Sequence, residues 1–299
     1  MSISERRRLL HLSDLHLNAR NEMRYGVDPD ASLRAVLATC AELDAVIAVV
    51  VTGDIADDGS ESAYVRAREL VLEYARPRAA RVMFCVGNHD DRQAFTNVLG
   101  TGHFDPEGND CGEMSAGDRV AAVSDLGGLR VITLDSLVPG RWYGRLGSAQ
   151  LSWLRSVVSA GPPPAVVALH HPPIDLGVEI QQRVGLEDRD AFASSLKHMQ
   201  VGAILCGHFH QQISGFLSGI PTWVTPGIFT RIDHLSGPAG TERALAGGSA
   251  TVIDVTEPMN SVFSTLPARD PRAGQSAYEI TLDELSEDFA QFALPVQAT

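Results

Sequence analysis

Apolar positions recur along the first two hundred residues in two alternating rhythms. Arg8–Leu12, Ala45–Thr52, Arg81–Val86, Leu129–Leu134, Ala165–Leu169 and Gly202–Leu205 are short, near-continuous apolar runs, the pattern of strands covered on both faces. Between them, Asp30–Leu43, Glu61–Tyr74, Ser148–Val158 and Asp190–His198 carry apolar residues at helical spacing, with Leu33, Val36, Leu37 and Cys40 on one face of the first. Strands that alternate with helices predict a layered α/β domain whose central sheets are covered by helices.

The rhythm changes after about residue 211. Gln212–Leu217, Thr222–Thr225 and Ser249–Val255 read as short strands, and the glycine-rich stretch Leu235–Gly248 as a surface loop. Thr281-x-x-Glu284 forms a capping box ahead of Leu282, Leu285, Phe289 and Phe292, which predicts an acidic amphipathic helix. Residues 1–230 are read as the main domain and 231–299 as a C-terminal extension.

Composition narrows the class. At 299 residues and 44% hydrophobic, the chain can bury a core without disulfides. Its cysteines (Cys40, Cys85, Cys111, Cys206) include no CxxC pair and are expected as buried, reduced thiols in a cytoplasmic protein. The basic start lacks the apolar stretch of a signal peptide, and the longest apolar run, Leu43–Val51, falls far short of a membrane span. The net charge of −13 with a single lysine, Lys197, disfavours a nucleic-acid polymer as partner. A small anionic substrate stays compatible where bound cations offset the field.

The polar residues of interest sit where apolar runs end. Asp14-Leu15-His16, Gly53-Asp54, Gly87-Asn88-His89-Asp90, His170-His171 and Gly207-His208-Phe209-His210 follow five runs in turn, at what reads as one edge of one sheet, where α/β folds place ligands. Each alone has an ordinary explanation as turn chemistry or a surface histidine; their joint occurrence does not. Asp14, His16, Asp54, Asn88, His170, His208 and His210 offer carboxylates, an amide oxygen and imidazoles without a thiolate. Such a set suits Fe, Mn, Zn or Co better than Ca or Mg. Seven ligands exceed what one tetrahedral ion takes and fit two ions, the clamp used in phosphoryl transfer.

In this order, DxH, GD, GNH[ED], H and GHxH, the motifs resemble those of the calcineurin-like metallophosphoesterases over roughly residues 8–230. Tyr25-Gly26-Val27-Asp28, Gly87–Arg92, Asp135–Gly140 and Leu169–Ile174 resemble the class III cyclic-nucleotide phosphodiesterase branch, which also holds glycerophosphodiester-cleaving members. The resemblance implies a four-layer αββα sandwich and two metal ions, Fe and/or Mn with Zn or Co as alternatives. It implies one ion on Asp14, His16, Asp54 and His210, and another on Asp54, Asn88, His170 and His208. His89 would act off the metals on the scissile phosphate, with His16, Asn88 and His210 also near substrate. Asp90 is expected to orient His89, His171 to pack beside the ligands, and Asp57 to have no direct role. Trp142, Tyr143, Phe209 and Phe229 are candidates to stack on a base. The implied reaction is hydrolysis of 3′,5′-cyclic AMP or a similar cyclic nucleotide. The alternatives are a glycerophosphodiester or broad-specificity diesterase and a non-catalytic partner-binding module, and branch members commonly form homodimers.

Overall fold

The computed structural model describes residues 5–115, 117–160, 163–175, 183–233, 241–281 and 283–284. Its first sheet has six strands in the order β15 (Val262–Pro267), β14 (Ser249–Asp254), β1 (Arg8–Leu12), β2 (Val46–Thr52), β3 (Arg81–Cys85) and β4 (His103–Phe104). The second has seven: β10 (Ile213–Leu217), β11 (Ile220–Val224), β9 (Val201–Cys206), β8 (Ala165–Ala168), β7 (Arg130–Thr133), β6 (Ala122–Asp125) and β5 (Glu113–Met114). β1, β2 and β3 run parallel, as do β7, β8, β9 and β11.

Successive residues of one strand serve two cores, because side chains alternate across a sheet. Leu9, Ala48, Val50 and Met83 meet Val166, Ala168, Ala203 and Leu205 of the other sheet. Their neighbours Leu10, Val49, Val51 and Phe84 face the helices α1 (Pro29–Thr39), α2 (Glu61–Ala75) and α3 (Arg92–Leu99). On the far side, Val167, Leu169 and Ile204 pack with α4 (Ser148–Ser159) and α5 (Arg189–Ser195). Two sheets between two helix layers make the expected four-layer αββα sandwich, and demand for apolar contact on both faces explains the unbroken apolar runs. Among the described residues no helix is long and apolar enough to cross a membrane.

Three details differ from the sequence reading. The first helix stops at Thr39 rather than Leu43, where Ala41 and Leu43 bond back to the Ala38 and Cys40 carbonyls in turns that aim the chain into β2. Residues 241–245, inside the expected glycine-rich loop, form β13 (Thr241–Leu245), paired on one side with β12 (Arg231–Asp233) and on the other with β16 (Ser276–Thr281). Pairing on both edges and burial of Ala244 and Ala246 override the local turn signal of the glycines. Cys111 is exposed, whereas Cys40, Cys85 and Cys206 are buried, and all four are free.

The reciprocal bonds of the Thr281–Glu284 capping box are present. The amphipathic helix expected from Leu282, Leu285, Phe289 and Phe292 lies outside the described residues.

Candidate metal centre

Five parallel strands end at one place, and each delivers its polar cluster there. They come from two sheets, not one: β1, β2 and β3 bring Asp14, His16, Asp54, Asn88 and His89, while β8 and β9 bring His170, His208 and His210. The site therefore lies across the seam of the sandwich, so donors converge from opposite sides.

The backbone bends sharply to achieve this. Asp14, His16, Asp54, His208 and His210 all have positive φ, between 47° and 73°, a conformation that costs a non-glycine residue about 1–2 kcal/mol. Cross-loop hydrogen bonds hold it, from Asp14 N–H to the Gly53 carbonyl, His16 N–H to Asp54 and Phe229 N–H to Asp14. Glycines flank these bends because nothing larger fits. A Cβ on Gly87 would stand 2.2 Å from Asp54 Oδ1, and one on Gly207 would stand 1.7 Å from Ser13 Oγ.

The imidazoles are oriented from behind. His16 Nδ1 donates to Asp57 Oδ1 at 2.9 Å, His170 Nδ1 to the Thr52 carbonyl at 2.7 Å, and His210 Nδ1 to the Thr230 carbonyl at 3.0 Å. Each bond fixes the tautomer and turns the Nε2 lone pair into the site, as for metal-bound histidines. Nε2 of His16 and Nε2 of His210 then face each other at 3.1 Å. His170 Nε2 likewise faces Asn88 Oδ1 at 3.0 Å and Asp54 Oδ2 at 3.3 Å. His208 Nε2 is buried with no hydrogen-bond partner among the described residues.

Opposed lone pairs at hydrogen-bond distance repel unless positive charge lies between them. The donors Asp14, His16 and His210 lie within 4.8 Å of one another, as do those of Asp14, Asp54 and His170. Asp54 Oδ2 lies between the two groups, 3.8 Å from His16 and 3.3 Å from His170. This donor set fits metal cations.

Proton affinities tell the same story. Burial works against a charge on His170, yet the carboxylates of Asp54 and Asp14 lift it to about 9. Burial raises Asp14 to about 6 and lowers His210 to about 4. Burial thus keeps His16, His208 and His210 disposed to the neutral, lone-pair form, while the carboxylates favour positive charge on His170.

The remaining residues sort by contact. His171 Nδ1 accepts from Ser136 Oγ at 2.8 Å and its Nε2 donates to the Trp142 carbonyl at 3.1 Å; its ring packs 4.6 Å from that of His208, beside the donor cluster. Asp90 does not orient His89. It accepts from the Ile55, Ala56 and Gly87 N–H groups and the Tyr64 hydroxyl, tying two loops together, because its buried position lies behind the backbone.

Asp57 takes the place given to Asp90. Beside holding His16, its carbonyl faces His89 Nδ1 at 3.2 Å and its carboxylate stands 3.5 Å from the same nitrogen. Asp57, expected to have no direct role, acts through its contacts with these two imidazoles. Arg92 binds Asp135 through two bonds of 2.6 and 3.0 Å, joining two of the stretches singled out in the sequence.

Above the donors opens a cavity of about 490 Å³, within the range of small-molecule sites. His89 lines it, with Trp142, Phe209 and Phe229 on the walls. Tyr143 is not among the lining residues. Phe229 is buried and packs 5.5 Å from the His16 ring, and Trp142 stands edge-on to His89 at 5.2 Å. The far wall, Glu242, Tyr278, Glu279 and Ile280, comes from the small sheet, and no local pattern in the sequence announces it.

The family model for calcineurin-like phosphoesterases matches residues 7–212. The chain belongs to this family. This phosphoesterase is 40% identical over 221 residues to a "Probable cyclic nucleotide phosphodiesterase" of Rhodococcus erythropolis, covering 72% of this chain and 69% of that one. It is 34% identical over 262 residues to a cAMP/cGMP dual specificity phosphodiesterase of Mycobacterium tuberculosis, covering 87% and 79%. Among solved structures, a purple acid phosphatase from yellow lupin (Lupinus luteus) superposes with a TM-score of 0.58 at 13% identity, over 93% of this phosphoesterase and 54% of that chain, a likeness of fold. The family implies a binuclear metal centre, and the clustered aspartates and histidines fit one.

Proposed function

We propose that this chain hydrolyses the phosphodiester of a 3′,5′-cyclic nucleotide, cyclic AMP or a close analogue, to the nucleoside monophosphate. The observation that carries it is the pair of opposed Nε2 atoms of His16 and His210 beside Asp54 Oδ2, in a family of phosphoesterases, with relatives of this chain named for cyclic nucleotides. Asp14, His16, Asp54 and His210 would hold one ion and Asp54, Asn88, His170 and His208 the other, with Fe and/or Mn favoured and Zn or Co as alternatives. Bound there, the pair supplies Lewis acidity and a water made acidic enough to deprotonate near neutral pH.

The protein's own groups do the rest. Asp54 keeps both donor sets in one register, with Oδ1 pinned by the His89 N–H at 2.9 Å. His89 reaches the phosphate from the cavity wall. In its protonated form it hydrogen-bonds a phosphoryl oxygen, and it gives its proton to the leaving 3′ oxygen as hydroxide bonds to phosphorus and the P–O3′ bond breaks. Asp57 keeps Nδ1 of that ring occupied and stabilises its positive charge. Trp142 and Phe229 limit water on two sides of the cavity. A homodimer and a cytoplasmic setting complete the reading, supported by the branch resemblance and the composition.

The test is metal analysis of the purified protein with a kinetic panel of 3′,5′-cyclic AMP, 2′,3′-cyclic AMP, a glycerophosphodiester and a monoester. The expected result is two ions per chain and highest kcat/KM on the 3′,5′-cyclic diester. Preference for the monoester would refute it, and preference for the glycerophosphodiester would move the substrate class.

A further inference from the structure

The far end of the cavity differs in chemistry from the donor end. Glu242, Glu279 and Glu284 line it together with Tyr25, Tyr278 and Ile280. Tyr278 and Glu242 sit on the paired strands β16 and β13, where Ala244 pairs with Tyr278 and Glu242 with Ile280. The Tyr278 hydroxyl donates to Glu242 Oε1 at 3.2 Å. The other carboxylate oxygen has no hydrogen-bond partner among the described residues. The Tyr25 ring lies 4.8 Å from that of Tyr278 at 50°, half exposed, with the Arg24 guanidinium 5.0 Å from its centroid. Arg24 in turn pairs with Asp57, which holds His16. One chain of contacts thus runs from the donor cluster to the small sheet.

Polarity decides what this end can take. Glu242, Glu279 and Glu284 face one cation at this end, Arg24, whose charge is met by Asp57, so the carboxylates prevail, disfavour a second phosphate and favour a neutral group that presents N–H donors. Tyr25, half exposed beside Arg24 and Tyr278, offers apolar aromatic surface for a π system. Resting on the cyclic-nucleotide reading above, we infer that Tyr25, Tyr278 and Glu242 form the base subsite, with the base against Tyr25 and an amino group of a purine donating to Glu242. Glu242 and Tyr278 stand outside residues 7–212 that match the family model, so the C-terminal sheet sets base preference on a shared hydrolytic floor. The shared chemistry is an amino-bearing purine; adenine presents a 6-amino group and guanine a 2-amino group.

Two substrate pairs isolate that donor without altering the diester. Cyclic AMP is compared with purine riboside 3′,5′-cyclic phosphate, which lacks the 6-amino group, and cyclic GMP with cyclic IMP, which lacks the 2-amino group. In the wild type, kcat/KM is expected to favour the amino-bearing member of at least one pair by about fivefold or more, because a site built around a hydrogen bond rejects the analogue that lacks it. The pair that responds identifies the base. Glu242→Leu, which removes the acceptor, should bring that ratio below about twofold, and Tyr25→Ala should raise KM for the preferred nucleotide about tenfold through lost stacking. No pair reaching fivefold in the wild type, or a ratio that stays at twofold or more in Glu242→Leu, would overturn the inference. The wild-type comparison stands even if a variant fails to fold. Hydrolysis of other diesters with no turnover of any cyclic nucleotide would sink the functional reading itself, and this subsite with it.

Discussion

Asp57 accepts the Nδ1 proton of His16 at 2.9 Å, which leaves Nε2 as the nitrogen that His16 presents to the donor cluster. Removing such a partner typically costs about 10–100-fold in metal affinity or activity. Asp57→Ala should therefore weaken Mn²⁺ binding by about that factor, measured by equilibrium dialysis against the wild type. Equal affinity in the two proteins would show that His16 is held by packing alone.

His89 offers a different signature. Among the described residues no hydrogen bond engages its Nε2, and the ring lines the cavity beside Trp142. His89→Ala should keep its full metal content and lose about 10²–10⁴-fold in kcat, the usual contribution of a general acid. Metal analysis and steady-state kinetics on the same preparation decide it. Loss of an ion would instead make His89 a ligand.

Asp90 and Tyr64 separate a structural carboxylate from a catalytic one. Asp90→Ala strands three backbone N–H groups and a phenol, each costing about 1–3 kcal/mol if left buried and unpaired. Tyr64→Phe removes a single hydroxyl, for about 1–2 kcal/mol. Urea unfolding should rank Asp90→Ala as several-fold the more damaging; similar losses would contradict the role assigned to Asp90.

Much of this site was legible before the structure. β1 runs from Arg8 to Leu12 as expected, and all seven donors come together, because apolar runs and the polar groups that end them are local properties of the chain. What escaped depends on apposition. Asp90 looks adjacent to His89 in the sequence, yet its side chain turns to the loop after β2, and Asp57 fills the role from across the site. β13 and β16 stabilise each other over some 35 intervening residues, and α3 hides behind the motif whose Asp91 caps it, accepting from the Ala94 N–H at 2.8 Å. The two-sheet origin of the donors was invisible, since parallel strands of either sheet carry the same apolar signature.

Acid stability gives another check. His103 sits buried between Ser124 Oγ and Thr133 Oγ1, both at 2.8 Å, and burial, helped by Arg81, lowers it to about 3 from an ordinary 6.5. Its folded value lies below the unfolded one, so the unfolded chain takes up the proton first. The contribution is complete above about pH 6.5 and is lost as pH falls toward 3, with a slope of about 1.4 kcal/mol per pH unit. His103→Gln should be less stable at pH 7 yet show a shallower decline between pH 7 and 5 in denaturant titrations. An unchanged slope would place the acid sensitivity elsewhere.

Removing metal should register in folding as well as in turnover. A ligand at 100 times its Kd stabilises by about 2.7 kcal/mol, or roughly 4 °C in Tm for a chain of this size. Chelation followed by calorimetry should show a fall of at least that order, restored by Mn²⁺ together with diesterase activity. A Tm indifferent to chelator would argue that the strained loops hold themselves without an ion.

The pairing of β1 with β14 has a consequence for the order of assembly. Arg8 pairs with Asp254 and His11 with Thr251, so β1 meets this neighbour only about 240 residues later in synthesis, roughly 12–50 s at ordinary rates of translation. During that interval the nascent chain carries a nearly complete set of site residues beside an open sheet edge. All seven donors precede β14, so its pairing with β1 seals the sheet edge beside a donor set already synthesised, and β13 and β16 add the far wall of the cavity last.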